Sequence, residues 1–480
     1  MSLTLLALFP LLGAVVAKLV GRSSPSVARV VALLTALLQL LLTIAVAARM
    51  VTVAPATMTG GLSGVPTGFW LLRLDGLALP LVALTSLLGV IAVLASWRID
   101  KSPGIHFALL LSLQAAVTLV FLADNLVLFY AAWEAVLIPM FFLIGVWGHE
   151  GRRHAAMKFF VYTFAGSGLM LIGLLIVGFS TGTFQISALD AGVLDPSLRA
   201  LVFWLLVAGF AVKVPVVPLH TWLPDAHVEA PTAGSVMLAG VLLKMGGYGL
   251  LRLALPLAPD VARASAPLFA VLGIVGILYG AVLALAQTDL KRLVAYSSVA
   301  HMGFVVLAIA TGSPLALDAA MLVMVAHGLT SALLFLLVGQ LYDRTHTRSM
   351  ARLGGMLATI PVWAALFVFG SLASLGLPGL AGFPGELVTF IEGFGPWGWW
   401  MIAVAVGVVL AGAYSLRAVR AVAQGPTLDE WSGIRDLDAI DVAAAAPLAV
   451  LIVVMGVWPS LVSGVMVPVA RALAAAMGRG

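Results

Sequence analysis

Six ionisable residues lie where a linear reading of the chain offers them no water. Glu134 sits in FYAAWEAVLIPMFF, Lys213 in VAGFAVKVPVV, Lys244 in MLAGVLLKMGGYGLL, His301 in SSVAHMGFVVL, His327 in MLVMVAHGLTSALLF and Glu386 in GFPGELVTF. An ionisable group inside a bilayer is costly, so each needs another of the set, a backbone carbonyl or water as its partner. Desolvation disfavours the charged form of a lysine and of a glutamate alike, and a nearby opposite charge reverses both trends. Two lysines, two histidines and two glutamates along one low-dielectric path therefore have the chemistry of a proton relay near neutral pH. Movement of Glu134 toward or away from Lys213 would gate proton affinity, and coupling of that strength makes titration a property of the set. Each residue also has a plainer reading. Glu134 and Lys213 could form a static interhelical pair, and Lys244, beside Gly246 and Gly247, could snorkel or cap a carbonyl. His301 and His327 could be hydrogen-bonded core residues, and Glu386 could face solvent at a helix break. Six unrelated burial costs in one chain favour the relay.

The elements that must hold these residues follow from composition. Of 480 residues, 25 are basic and 20 acidic, so only 9% are charged, while 62% are apolar. An ordinary soluble domain is about 25% charged. Cytosolic enzymes, nucleic-acid binders and secreted disulfide scaffolds are excluded. Apolar runs recur at 3–20, 30–48, 76–95, 105–123, 127–147, 159–179, 201–217, 232–253, 267–286, 293–310, 319–341, 361–381, 399–416 and 442–462. A span takes about 20 apolar residues. The chain is thus predicted to be an all-α integral membrane protein, a single polytopic domain over 1–480 with about fourteen transmembrane helices. The first run lacks the basic start of a signal peptide and reads as span 1. The gaps at 49–75 and 417–441 are too short for a globular domain. Cysteine is absent, which removes disulfides, iron–sulfur clusters and thiolate metal sites; any electrons are carried by another chain.

Basic residues predict the orientation. Loops after odd-numbered spans hold sixteen of them: Lys18, Arg22, Arg29, Arg98, Lys101, Arg152, Arg153, Lys158, Lys291, Arg292, Arg344, Arg348, Arg352, Arg417, Arg420 and Arg435. The other side, with both termini, holds seven: Arg49, Arg73, Arg199, Arg252, Arg263, Arg471 and Arg479. The excess places the odd-numbered loops in the cytoplasm and both termini outside.

Two spans carry the marks of broken helices. Span 7 runs into Lys213-Val-Pro215-Val-Val-Pro218, and span 12 contains Gly376-Leu-Pro378-Gly-Leu-Ala-Gly-Phe-Pro384. Proline removes a backbone donor and clashes one turn back, and such breaks persist at membrane depth only where protein or water satisfies the freed carbonyls. If spans 4–8 and 9–13 form two five-helix units, each break falls on the fourth helix of its unit. Paired interrupted helices point to a transporter with internal repeats, and an odd number of helices per unit makes the repeats inverted. The predicted segments are 1–104 for helices 1–3, 105–254 and 266–421 for the repeats, and 442–480 for a C-terminal helix.

Other candidates recede. His106, Arg252 and Asp318 fall near span ends, where snorkelling accounts for them. HEGRRHAAMK at 149–158 reads as a topology anchor rather than a metal or nucleic-acid site. The motifs for nucleotide binding and nucleophilic catalysis that were sought do not occur.

The residues themselves carry a family resemblance. KVPVVPLHTWLPDAHVEAPTAGSVMLAGVLLKMGGYGLLR at 213–252 closely resembles the antiporter-like subunit M (subunit 4) of proton-pumping NADH:quinone oxidoreductase, respiratory complex I. FYAAWEAVLIPMFFLIGVWG at 129–148, TDLKRLVAYSSVAHMGFV at 288–305 and AHGLTSALLFLLVGQLYDRTHTR at 326–348 resemble the same family, and the likeness covers nearly the whole chain. It implies fourteen helices with inverted repeats over helices 4–8 and 9–13. It implies Glu134 and Lys213 as a buried control pair, Lys244 as central proton carrier, His301 and His327 lining the path onward, and Glu386 as terminal group. A glutamate there, where the sister subunits L and N and the D subunit of sodium/proton antiporters usually carry lysine, favours subunit M. No cofactor is expected in this chain: flavin, iron–sulfur clusters and quinone would belong to partner subunits, with subunits L and N as neighbours in a cell's plasma membrane. The competing readings are a subunit of a multi-subunit sodium/proton antiporter, a passive scaffold and a standalone solute transporter.

Overall fold

The computed structural model describes residues 3–53, 57–61, 68–189 and 192–478. Arg479, counted above among the outer-side charges, lies outside them. Helices dominate: α1 Leu3–Val20, α2 Pro25–Val53, α3 Leu79–Ala95, α4 Pro103–Leu122, α5 Leu126–Trp147, α6 Arg152–Thr181, α7 Pro196–Lys213, α8 Trp222–Glu229 and α9 Thr232–Leu257. They continue as α10 Pro259–Ala286, α11 Leu290–Thr311, α12 Pro314–Thr345, α13 Pro361–Ser374, α14 Gly382–Trp397, α15 Met401–Val422, α16 Ala439–Val457 and α17 Ser460–Ala476. The predicted all-α membrane class holds: among the described residues twelve helical runs are long and apolar enough to cross a membrane, with α3, α13 and α17 shorter. One of the twelve, Gly382–Val422, comprises α14 and α15 joined by a turn at Gly398.

Burial ranks the helices. The apolar windows of α9 and α11 are 94% buried, and that of α12 is 100% buried. A helix apolar all round is one enclosed by other helices, and these three carry Lys244, His301 and His327. By contrast α1, α2 and α6 present Leu12, Leu34, Leu41, Phe164 and Phe179 outward, as a lipid- or subunit-facing belt does.

Both predicted breaks are present. Span 7 ends at Lys213, turns through 214–221 and resumes as α8. Span 12 is α13, an irregular stretch over 375–381, and α14. Gly376 and Gly379 sit at φ 80° and 90° in that stretch, a region costly for residues with a Cβ.

The peripheral ion pairs sort by side. Arg29 pairs with Asp100, Arg98 with Asp438 and Asp441, Arg344 with Asp441, Lys158 and Arg292 with Asp225, and Arg348 with Asp289. Each joins one odd-numbered loop region to another. On the opposite end Asp75 binds Arg73 and Arg252, and Arg199 approaches Asp260. A local pattern also recurs at constant offset. An isolated bridge joins Asn125 to Gln185 on one end, and another joins Asp289 to Ser349 on the other. The separations are equal, 289 less 125 and 349 less 185 both being 164. Thr181 Oγ1 bonding Thr183 O is likewise matched by Thr345 Oγ1 bonding Thr347 O.

The gap 49–75 contains an antiparallel hairpin, β1 Thr57–Gly61 with β2 Leu71–Asp75, whose register pairs Thr57 with Asp75. Several expectations are corrected. The C-terminal segment is not one helix. It breaks after Val457 at Trp458-Pro459, and α17 folds back along the even-loop end, where Ser463 donates to Asp318 at 2.6 Å. Asp318 is thereby buried rather than snorkelled. His106 is buried too, with Nε2 2.8 Å from Ser96 Oγ. Arg252 does not reach for water: both its terminal nitrogens donate to Asp75, at 2.7 and 2.6 Å, and its Nε bonds Tyr248 at 3.0 Å. Burial draws the Asp75 carboxyl upward, but Arg252 and then Arg73 outweigh it and hold the group below the usual carboxylate range. These side chains lie near the ends of their helices, and nothing local shows that they are paired inward until it is known which helices touch.

Candidate functional site

Helix α5 positions Glu134. Its N-terminus is fixed by Asn125, whose side chain accepts from the backbone N–H of Val127 and Leu128 at 2.9 and 3.1 Å, leaving fewer orphan donors in the first turn. Glu134 is half-buried near Ser167 and Tyr130, and Lys213 lies within electrostatic range. The two are not joined: no ion pair links Glu134 to Lys213 among the described residues, and Glu134 Oε1 and Lys213 Nζ both lack a hydrogen-bond partner. Lys213 is the last residue of α7, only 1% exposed, its Nζ 5.3 Å from the ring centroid of Phe159 and 5.7 Å from that of Trp133. Cation–π attraction is what this pocket offers the ammonium.

Lys244 lies between two π-helical turns of α9, Leu238–Leu242 and Leu250–Ala254. A π turn disturbs the regular hydrogen-bond ladder and is frequent at functional sites. The Nζ of Lys244 donates to the carbonyl of Ala239, inside the first of these turns, and lies 2.7 Å from His327 Nδ1 on α12. Gly246 lets α9 approach the broken end of α7 here, because a Cβ would come within 2.6 Å of the Phe210 carbonyl.

The row continues to His301 by ring contact rather than by a hydrogen bond, the Nε2 of His327 being without a partner. The His327 and His301 rings are 5.5 Å apart between centroids. His301 Nδ1 lies 2.9 Å from Glu386 Oε1, and its Nε2 lies 3.2 Å from Ser374 Oγ. Glu386 sits near the start of α14, where the helix dipole favours a carboxylate, with Oε2 filling the space a side chain on Gly376 would need. A small polar cavity of about 10 Å³ lies among His301, His327, Thr330, Ser331 and Glu386, room for about one water. Of the six residues singled out in the sequence, Lys244, His327, His301 and Glu386 thus form one contiguous chain, and Glu134 and Lys213 stand apart from it.

Sequence reasoning missed two groups. Lys291 was counted as a loop charge, yet it is 3% exposed, its Nζ donating 2.6 Å to the Ala230 carbonyl. His227, in the stretch TWLPDAHVEAP, is fully buried against Phe335 at 4.4 Å between ring centroids. The proximity of Lys291 to a span end hid the one, and no regular helical spacing marks the other.

Broken helices around a buried row of ionisable side chains define a class, the antiporter-like polytopic membrane proteins. Residues 123–412 match the family described as NADH:quinone oxidoreductase/Mrp antiporter, TM, and the chain belongs to that family. It is 47% identical over 405 residues to NADH-quinone oxidoreductase subunit M of Pseudomonas aeruginosa, covering 81% of this chain and 79% of the relative. It is 44% identical over 404 residues to the Escherichia coli K12 protein of that name, with the same coverage. Among solved structures, a chain of respiratory complex I from Thermus thermophilus superposes with a TM-score of 0.90 at 30% identity, covering 99% of this chain and 100% of that one. A chain of the Mrp complex from Dietzia sp. DQ12-45-1b gives 0.86 at 20% identity and shows the shared fold.

Proposed function

We propose that this chain is a proton-translocating membrane subunit of an NADH:quinone oxidoreductase, a non-redox part of a redox-driven translocase. The observation that carries the reading is the succession of close contacts from Lys244 through His327 and His301, inside the most enclosed helices, to Glu386. Protons pass along it, and Glu134 and Lys213 act at a distance as the gate. Each proton moved against 100 mV costs about 2.3 kcal/mol, so the drive comes from quinone reduction in other subunits, which hold the flavin, iron–sulfur clusters and quinone. Subunits L and N are the expected neighbours. The half-buried Glu134 supports such a contact, since a mid-membrane carboxylate at the chain's own surface needs cover from lipid.

Counting Gly382–Val422 as two passes and α3 as another brings the twelve runs to fourteen. The recurring pattern at an offset of 164 residues, on opposite ends, supports inverted repeats over 105–254 and 266–421. With 1–104 and 442–480 flanking them, the chain forms one domain of a cell's plasma membrane, odd-numbered loops in the cytoplasm and both termini outside.

The family also includes Mrp antiporters, so the alternative is a subunit of a multi-subunit sodium/proton antiporter. Gentle detergent purification separates the two. Co-migration of the chain with flavin and iron–sulfur absorbance is expected; a colourless assembly with sodium-dependent proton exchange overturns the proposal.

A further inference from the structure

A second cavity, of about 290 Å³ and walled by both apolar and charged groups, opens on the odd-loop end away from the row described above. Arg98, His149, Thr232, Lys291, Asp343 and Arg348 line it, drawn from the ends of α3, α5, α9, α11 and α12. A cavity of that size with charged groups in its wall holds several waters. Its floor is the break between α8 and α9, where Pro231 interrupts the helix. Three carbonyls at the break are taken up by the cavity's own groups. Arg348 donates to Val228 O at 2.6 Å, the His149 backbone N–H to Glu229 O at 2.9 Å, and Lys291 Nζ to Ala230 O at 2.6 Å. Burial, then the charges of Lys291 and Arg348, push the His149 imidazole down to about 4. At neutral pH it is uncharged, and Lys291 is the one cavity cation that can release a proton, because the arginines stay protonated.

His227, four residues before Pro231 in the chain, is fully buried against Phe335. Both its ring nitrogens are buried and lack hydrogen-bond partners, a state that is rare unless a water or a transferring proton uses the group. The charges of both Lys291 and Lys244 act on this imidazole. Lys291 holds the carbonyl of Ala230, three residues along the chain from His227. Lys213, in contrast, is closed in by Trp133 and Phe159.

We propose that this cavity is a proton inlet in its own right, feeding Lys244 from the odd-loop side through Lys291 and His227 without passing Lys213. The proton arrives from cavity water, Lys291 hands one to His227 and is reprotonated from the cavity, and His227 passes its own to Lys244. The inference rests on the proton-translocating reading. Lys213 is then a control group rather than the obligatory door.

Two variants of the intact complex test it. Lys291→Arg keeps the positive charge and a donor for Ala230 O but cannot give up a proton. Proton-coupled quinone reduction is expected to fall by about tenfold or more, in a complex that assembles normally. A purely structural role for Lys291 predicts full rescue by arginine, and that result overturns the proposal. The chain contains no cysteine, so Ala95→Cys, at the cavity wall, can be modified with a membrane-impermeant cationic methanethiosulfonate, the parent complex serving as control. Modification is expected to slow pumping to a similar extent and to add nothing in the Lys291→Arg background. Failure to label, or labelling with undiminished pumping, overturns the inlet. Lys244→Met separates the two levels of the argument. If it abolishes pumping while the plugged cavity does not, the inlet alone is wrong; if it pumps normally, the translocation reading itself fails.

Discussion

The Nζ of Lys244 and the Nδ1 of His327 lie 2.7 Å apart, and no carboxylate is ion-paired with either among the described residues. Two positive charges at that distance in a low-dielectric interior repel strongly. On the proposed reading the pair would share one excess proton, and substitutions at either member test that role.

Replacing Lys244 with methionine keeps the volume of the side chain and removes the proton. Redox-driven proton uptake by the intact complex, followed with a pH-sensitive dye in vesicles, is expected to fall by about a hundredfold, as for loss of a positioned proton-transfer group. His327→Gln, which retains a hydrogen-bonding group for Lys244 but does not titrate, is expected to fall nearly as far. Normal pumping in His327→Gln would remove that histidine from the path.

At the far end, Glu386→Gln tests the terminal group. The amide can still accept from His301, so the packing of α14 is preserved while the negative charge beside that imidazole is lost. Pumping is expected to drop by roughly one to two orders of magnitude, with Glu386→Asp intermediate because its shorter side chain keeps the charge. Equal activity in Gln and Asp variants would show that charge at this position is immaterial.

How much of this could be read in the chain depends on the kind of constraint. The spans, the two broken helices and the six ionisable residues within the apolar runs, four of them buried and two half-buried, were legible, because lipid forbids charge and proline forbids a continuous helix at membrane depth. The members of the row were legible but their order was not: the sequence runs Lys244, His301, His327, Glu386, whereas the contacts run Lys244, His327, His301, Glu386. Pairing depends on which helix faces which, and a helix apolar on every side carries no directional signal. The same loss concealed the union of Asp75 with Arg252, which are 177 residues apart in sequence. Lys291 was hidden for the opposite reason. Basic residues at span ends are common topology markers, and nothing local distinguishes one that turns inward.

The Asp75–Arg252 pair gives a stability prediction with a definite sign. Removing one partner of a buried pair strands the other, at a cost of about 3–5 kcal/mol. Arg252→Met should therefore lower the thermal unfolding temperature of the purified complex at pH 7. Because Arg252 and Arg73 hold the Asp75 carboxyl below its usual value of 3.8, its contribution is fully present above that value and is lost as pH falls through the folded-state value. The gap between parent and variant should thus be constant from neutral pH down to about pH 4 and close below it. A gap that changes between pH 6 and 8 would assign the effect to some other group.

Lys213 allows stability and function to be pulled in opposite directions. Its ammonium is buried with no hydrogen-bond partner and no bonded carboxylate, so the fold gains little from it beyond the faces of Trp133 and Phe159. Replacing buried charges by apolar groups of similar volume is often neutral or stabilising by about 1–4 kcal/mol. Lys213→Met is accordingly expected to leave the complex as stable as the parent or more so by thermal unfolding. Pumping should nevertheless fall, because Glu134 then has no titratable partner through which to act. Glu134→Gln should produce the same functional loss, and the double variant should be no worse than either single one, since both remove one interaction. Additive losses would mean that Glu134 and Lys213 serve separate steps, and a Lys213→Met complex that is destabilised would mean that the ammonium holds the break in place.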